Sequence, residues 1–232
     1  MDTFSEEEVF EFTEKKIRNA FIRKVFTILT IQLAITAGLI AVFIYSPGVK
    51  QWTSQHPGLA LGIMIGTIVC IIVLACCDNF RRKTPWNYIV LFIFTILEGM
   101  MLGLMASSFD ADDVLLAIGI VAIITLALTL FSFQTKIDFT AMAGGLLCLG
   151  ICLLMFGLFA LIFQSKILQI LYASLGALVF SFYLVFDLQI MMGGKHRYSI
   201  SPEEYIFAAL NLYLDIVNLF IYILRLIGLL SD

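Results

Sequence analysis

Long apolar runs separated by short polar loops set the character of this chain. Seven stretches reach about 20 residues, the length that a helix rising 1.5 Å per residue needs to cross roughly 30 Å of hydrocarbon. They are Val25 to Tyr45, Leu59 to Cys77, Trp86 to Ser107, Val114 to Phe133, Ala141 to Phe163, Leu168 to Met191 and Tyr205 to Leu229. Lipid forces backbone polar groups to be satisfied inside each crossing segment, and these runs are too long and alternate too little for barrel strands. The pattern therefore predicts an all-α, polytopic membrane protein. A seven-helix transmembrane domain over 25–229 follows a cytosolic segment over 1–24 and precedes a short tail over 230–232. Six crossings with a re-entrant final hairpin is the alternative reading of the last segment.

The polar punctuation supplies the element boundaries. Thr84-Pro85 reads as an N-cap followed by a helix-compatible proline, and Asp138 as the cap of the fifth span. Ser201-Pro202-Glu203-Glu204 has the composition of a capping box, with Ile200 and Tyr205 placed as a hydrophobic staple. Ser5 and Glu8 repeat the capping pattern near the start. Phe10, Ile17 and Phe21 beside Lys15, Lys16 and Arg18 predict a helix lying on the bilayer surface there. Gly62-x3-Gly66, Gly99-x3-Gly103 and Gly145 with Gly150 mark faces where helix backbones approach closely.

Composition agrees with the pattern: 61% of residues are hydrophobic and 13% charged, where a soluble domain carries roughly a quarter charged. That supply cannot build a water-facing surface. A net charge of −3 argues against nucleic acid as a partner; the partner implied by composition is the lipid bilayer. Ser5-Glu6-Glu7-Glu8 precedes the first basic residues, which is unlike a cleavable signal peptide, so the first span is expected to act as its own insertion signal. Cys70, Cys76, Cys77, Cys148 and Cys152 all fall in or beside apolar segments, which excludes a secreted disulfide framework. Eleven basic residues fall in the N-terminal segment and in the loops after spans two, four and six, against Lys50 and Lys166 on the other side. The positive-inside rule then puts the N-terminus in the cytosol.

Four ionisable residues lie within the apolar runs: Glu98, Asp187, Asp215 and Arg225. A charge near the bilayer centre costs at least about 2.5 kcal/mol, so such groups face the bundle or water and commonly carry function. Asn211, Asp215, Asn218, Tyr222 and Arg225 are spaced by four, three, four and three, which lines them along one face of the last helix. Tyr183 and Asp187 share a face of the preceding, antiparallel helix. If the two aspartates meet, they share a proton and titrate as a pair. Carboxylate and amide oxygens also suit a hard cation such as Ca2+, held weakly enough to leave. Glu98 is a further candidate for a pore or proton relay, and Arg225 for an interfacial anchor.

These residues together resemble the transmembrane BAX inhibitor motif family, and within it the lifeguard group. The resemblance runs from about Ile22 to Leu229. It rests on Ala75-Cys76-Cys77-Asp78 with Arg81-Arg82, on Glu98-Gly99, on the block Phe186-Asp187-Leu188-Gln189-Ile190-Met191-Met192-Gly193-Gly194, and on Ser199 to Tyr205 leading into Ala209-Leu210-Asn211-Leu212-Tyr213-Leu214-Asp215-Ile216. It implies a BAX inhibitor-1-type bundle of seven helices that leaks Ca2+ across endomembranes under pH control and suppresses cell death. By the same resemblance, Asp187 and Asp215 are the shared-proton sensor, and Arg81 or Arg82 stands for an arginine that pairs with them in the closed state. Golgi or endoplasmic reticulum is the implied membrane, with plasma membrane and lysosome as alternatives. The long proline-rich tail of many lifeguard proteins has no counterpart before the first span, so partners recruited by it are not implied.

The expected activity is thus not enzymatic. Ca2+ is a transported ion rather than a cofactor, and protons regulate its passage. The competing function is a non-conducting adaptor that restrains apoptosis through contacts with apoptosis regulators or receptor proteins, the acids being structural. An aspartyl protease lacks its Gly-x-Gly-Asp signature, and a zinc protease lacks His-Glu-x-x-His.

Overall fold

The computed structural model describes residues 6–56, 58–77, 82–193 and 197–231. Ser5, Arg81 and Lys195, on which parts of the sequence reading rest, lie outside them. The helices are α1 (Glu6–Tyr45), α2 (Pro47–Gln55), α3 (Gly58–Cys76), α4 (Trp86–Ala106), α5 (Ala111–Gln134), α6 (Ala143–Phe163), α7 (Lys166–Met192) and α8 (Tyr205–Ser231). Short 3-10 turns at Phe139–Met142 and Pro202–Glu204 lead into α6 and α8. Seven of the helices, all but α2, are long and apolar enough to cross a membrane. The chain is a seven-span helical bundle. Its last span is one continuous helix of 27 residues, which disposes of the re-entrant alternative.

The N-terminal segment is not an element of its own. It is helical from Glu6 and runs without interruption into the first span, making α1 40 residues long. No Pro or Gly occurs before Gly38 in that helix, and a change from polar to apolar side chains does not by itself end a helix. The small α2 was not foreseen. It starts with Pro47 in the first turn after Ser46, a position proline favours, and is too polar and short to read as a span.

The last helix is the hub. Its most apolar window is 44% buried, against 17% for α3 and α5, because α7, α1, α5 and α4 all pack on it. Helix α3 lies outside α4, and α6 lies outside α7. Their outward faces carry exposed Ile65, Ile68, Ile72, Leu147, Ile151 and Ile162, apolar surface that only lipid covers without cost. Helices α1 and α4 pack closest where the glycine pairs predicted contact. A Cβ on Gly99 or Gly103 would stand 2.6 Å from Leu39 or Phe43. Gly66 faces Leu97, whereas Gly62 and Gly145 face open space.

One end of the bundle gathers the basic residues. Arg18 Nη1 donates to the carbonyls of Ile200 (2.8 Å) and Met191 (3.3 Å), satisfying oxygens at the end of α7 and in the loop before α8. Lys24 Nζ lies 3.3 Å from the centroid of the Tyr205 ring. Asp138 caps the 3-10 turn before α6 by accepting from Thr140 N at 3.0 Å, as expected. Ser201 caps the turn before α8 by accepting from Glu203 N. The Thr84 cap is not used: α4 starts at Trp86 with Pro85 as its N-cap and without a side-chain cap. Carbonyls of the preceding turn take its first amides instead, Lys83 from Asn87 and Pro85 from Tyr88 and Ile89.

Candidate functional site

A cavity of about 450 Å³ opens among α6, α7 and α8. Six of the residues singled out from the sequence line it: Tyr183 and Asp187 from α7, and Asn211, Asp215, Asn218 and Tyr222 from α8. The stripe on α8 is turned there because the other sides of the hub helix are taken. Leu212, Tyr213, Ile216, Val217, Leu219 and Phe220 are buried in the central core.

Both carboxyl groups line this one cavity, close enough to act on each other electrostatically. A direct carboxyl to carboxyl hydrogen bond requires one proton between them, since an ionised carboxylate only accepts. Asp215 is buried, and its Oδ2 has no donor among the described residues. An oxygen with no donor, beside a second carboxyl group in a cavity inside an apolar bundle, is suited to a proton, a water or a hard cation. Among the described residues no three His, Cys, Asp or Glu side chains converge, so the pair offers at most a lightly held ion.

The tyrosines frame this pair. Tyr183 OH donates to Leu146 O at 2.8 Å, tying α7 to α6. Tyr222 OH lies 3.0 Å from Tyr172 OH, and their rings meet edge to face with centroids 5.4 Å apart. Asn218 spends an amide hydrogen on Leu214 O of its own helix, at 2.8 Å. Gly150, Leu153, Leu154, Tyr172, Phe180 and Leu214 complete the wall, and none of them was anticipated as cavity lining. Tyr172 carries a weak signal, a tyrosine within an apolar run, but only the rotation of α7 against α8 puts it next to Tyr222.

The remaining candidates lie elsewhere. Arg225 sits beyond Tyr222 in a separate crevice of about 190 Å³, its guanidinium 5.8 Å from the Tyr172 ring centroid. Glu98 is on α4 and does not line the aspartate cavity; the phenol of Tyr213 is in electrostatic range of it. Arg82 Nε donates to Glu204 Oε1 at 2.6 Å, at the basic end of the bundle, and is not among the residues around Asp187 and Asp215. Arg81 falls outside the described residues.

Comparison with known proteins gives a consistent picture. The family model described as "Inhibitor of apoptosis-promoting Bax1" matches residues 18–232. Protein lifeguard 3 of Homo sapiens is 38% identical over 222 residues, which span 94% of this chain and 71% of that protein. Protein lifeguard 3 of Mus musculus is 37% identical over 222 residues, 94% and 72% of the two chains. Bax inhibitor 1 of Schizosaccharomyces pombe is 37% identical over 220 residues, 94% and 79%.

Proposed function

Because the chain belongs to the Bax inhibitor and lifeguard family of multi-pass membrane proteins, we propose that it is a non-enzymatic, pH-sensitive Ca2+ leak of Golgi or endoplasmic reticulum membranes. By lowering store Ca2+ it restrains apoptosis, and its N-terminus faces the cytosol. The observation that carries this reading is the single cavity lined by Asp187, Asp215, Asn211 and Asn218. Oxygen ligands of this kind attract Ca2+ once the shared proton leaves. Two carboxylates without a rigid cage hold the ion briefly, as conduction requires.

The test is Ca2+ flux into liposomes containing the purified protein, measured over a pH series. Asp187→Asn and Asp215→Asn are expected to change the flux and flatten its pH dependence. Unchanged flux at matched incorporation would remove the pair from the mechanism. In cells, protection against a death stimulus should fall in the double variant. Full protection by a folded double variant would favour an adaptor acting through protein contacts.

A further inference from the structure

A second polar centre lies on the other side of α8, between that helix, α1 and α4. Its residues are Gln32, Thr36, Thr95 and Tyr213, all at most 5% exposed, with Glu98 one turn beyond Thr95 on the same face of α4. Tyr213 and Asp215 are two positions apart and so about 200° apart around the helix. No residue of α1 or α4 lines the aspartate cavity. The two centres are therefore distinct.

Hydrogen-bond accounting shows what this centre lacks. Thr95 Oγ1 donates to Leu91 O at 2.8 Å, so it accepts the 3.0 Å bond from Gln32 Nε2. That fixes the Gln32 amide with its oxygen pointing away. Thr36 Oγ1 donates to Gln32 O at 2.9 Å, so the 2.7 Å bond between Thr36 and Tyr213 uses the tyrosine hydrogen. These donors are spent within the network, and Gln32 Oε1 is left buried with no partner among the described residues. Glu98 follows Thr95 by one turn on the same face of α4, about 18 Å from the start of the helix and near the middle of that span. Among the described residues no basic side chain of α1, α3 or α8 forms an ion pair with Glu98. Tyr213 is the titratable group that faces it. An acceptor with no donor and a carboxylate with no cation are each costly in hydrocarbon, and one positive species satisfies both.

We propose that Glu98 and Gln32 Oε1, held by Thr95, Thr36 and Tyr213, form a second intramembrane site that takes up a single positive charge, as a proton or a sodium-sized cation. One carboxylate neutralises one charge, so a divalent ion would leave an excess in the apolar core. The site does not depend on the aspartate pair or on Ca2+ conduction.

Two readouts on the full chain in lipid bilayers test it. Infrared difference spectra between acidic and alkaline buffer report a protonated carboxyl. Thermal unfolding in sodium against choline chloride at constant ionic strength reports the cation. The parent and the Asp187→Asn/Asp215→Asn double variant should show either a carboxylic-acid band or a sodium-dependent rise in unfolding temperature, and Glu98→Gln should lose it. Gln32→Leu, which removes the second oxygen and retains Glu98, should shift the band or raise the sodium needed for half the effect. If neither signal appears, or if it survives Glu98→Gln and vanishes in the aspartate double variant, the second site does not exist. Ca2+ flux enters neither readout, so failure here leaves the leak untouched.

Discussion

Tyr222 reaches the cavity because Gly176 on the facing helix has no side chain. The tyrosine ring lies directly against the glycine, in the space a Cβ would need. Gly176→Val should displace that ring, break its hydrogen bond to Tyr172 and cost about 1–3 kcal/mol, the usual range for overpacking. A lower unfolding temperature in detergent, with the Tyr172→Phe variant changed far less, checks this. The aspartate pair carries a linkage prediction. A proton shared between two carboxyls must leave when a cation takes its place, so Ca2+ uptake releases protons and strengthens as pH rises. Proton release on Ca2+ addition to lightly buffered protein should disappear in the Asp187→Asn/Asp215→Asn variant. The individual candidates were legible because an ionisable or amide group in an apolar run is conspicuous. Gly150 was not legible as a cavity wall, nor Gly176 as the seat of the Tyr222 ring, since the meaning of a missing side chain depends on which neighbour approaches it.

Helix α8 shows how element ends behave differently from element interiors. Its start was readable from Ser201-Pro202-Glu203-Glu204, and Ser201 does cap the turn there. The same reading could not reveal that the carboxylate of Glu204 engages Arg82 on the segment before α4, because the partner is 122 residues away in sequence. The Arg82 side chain is 50% exposed, so screening limits this pair to about 1 kcal/mol or less. A double-mutant cycle with Arg82→Gln and Glu204→Gln should give a coupling of that size, smaller in high salt. A coupling of several kcal/mol would instead make the pair a principal tie between the two elements. In α1, periodicity located the crossing segment, but the boundary placed at residue 25 marked only a change of polarity within one helix.

Across the molecule, the proposed topology has seven crossings with the two termini on opposite faces of the membrane. With the N-terminus cytosolic, a cysteine introduced at Lys136 should react with impermeant maleimide only from the cytosolic side, and one at Lys50 only from the other, in a background free of native cysteines. Equal reactivity from one side in intact vesicles would overturn that orientation. The order of packing, with α8 at the centre and α3 and α6 outside, was not readable beforehand. All seven spans are strongly apolar, with hydropathies from 1.8 to 2.9, and the two least apolar of them are α7 and α8, which hold the aspartates.

The amino-acid sequence alone determined that this protein is a seven-helix bundle and which polar residues lipid could not tolerate without a purpose, because crossing length, hydropathy and charge cost are local properties of each segment. Only the tertiary structure decided that Asp187 and Asp215 share one cavity while Glu98 lies outside it and Arg82 at the basic end. Which faces of apolar helices meet is set by close packing between segments distant in the chain, and hydropathy carries no record of it.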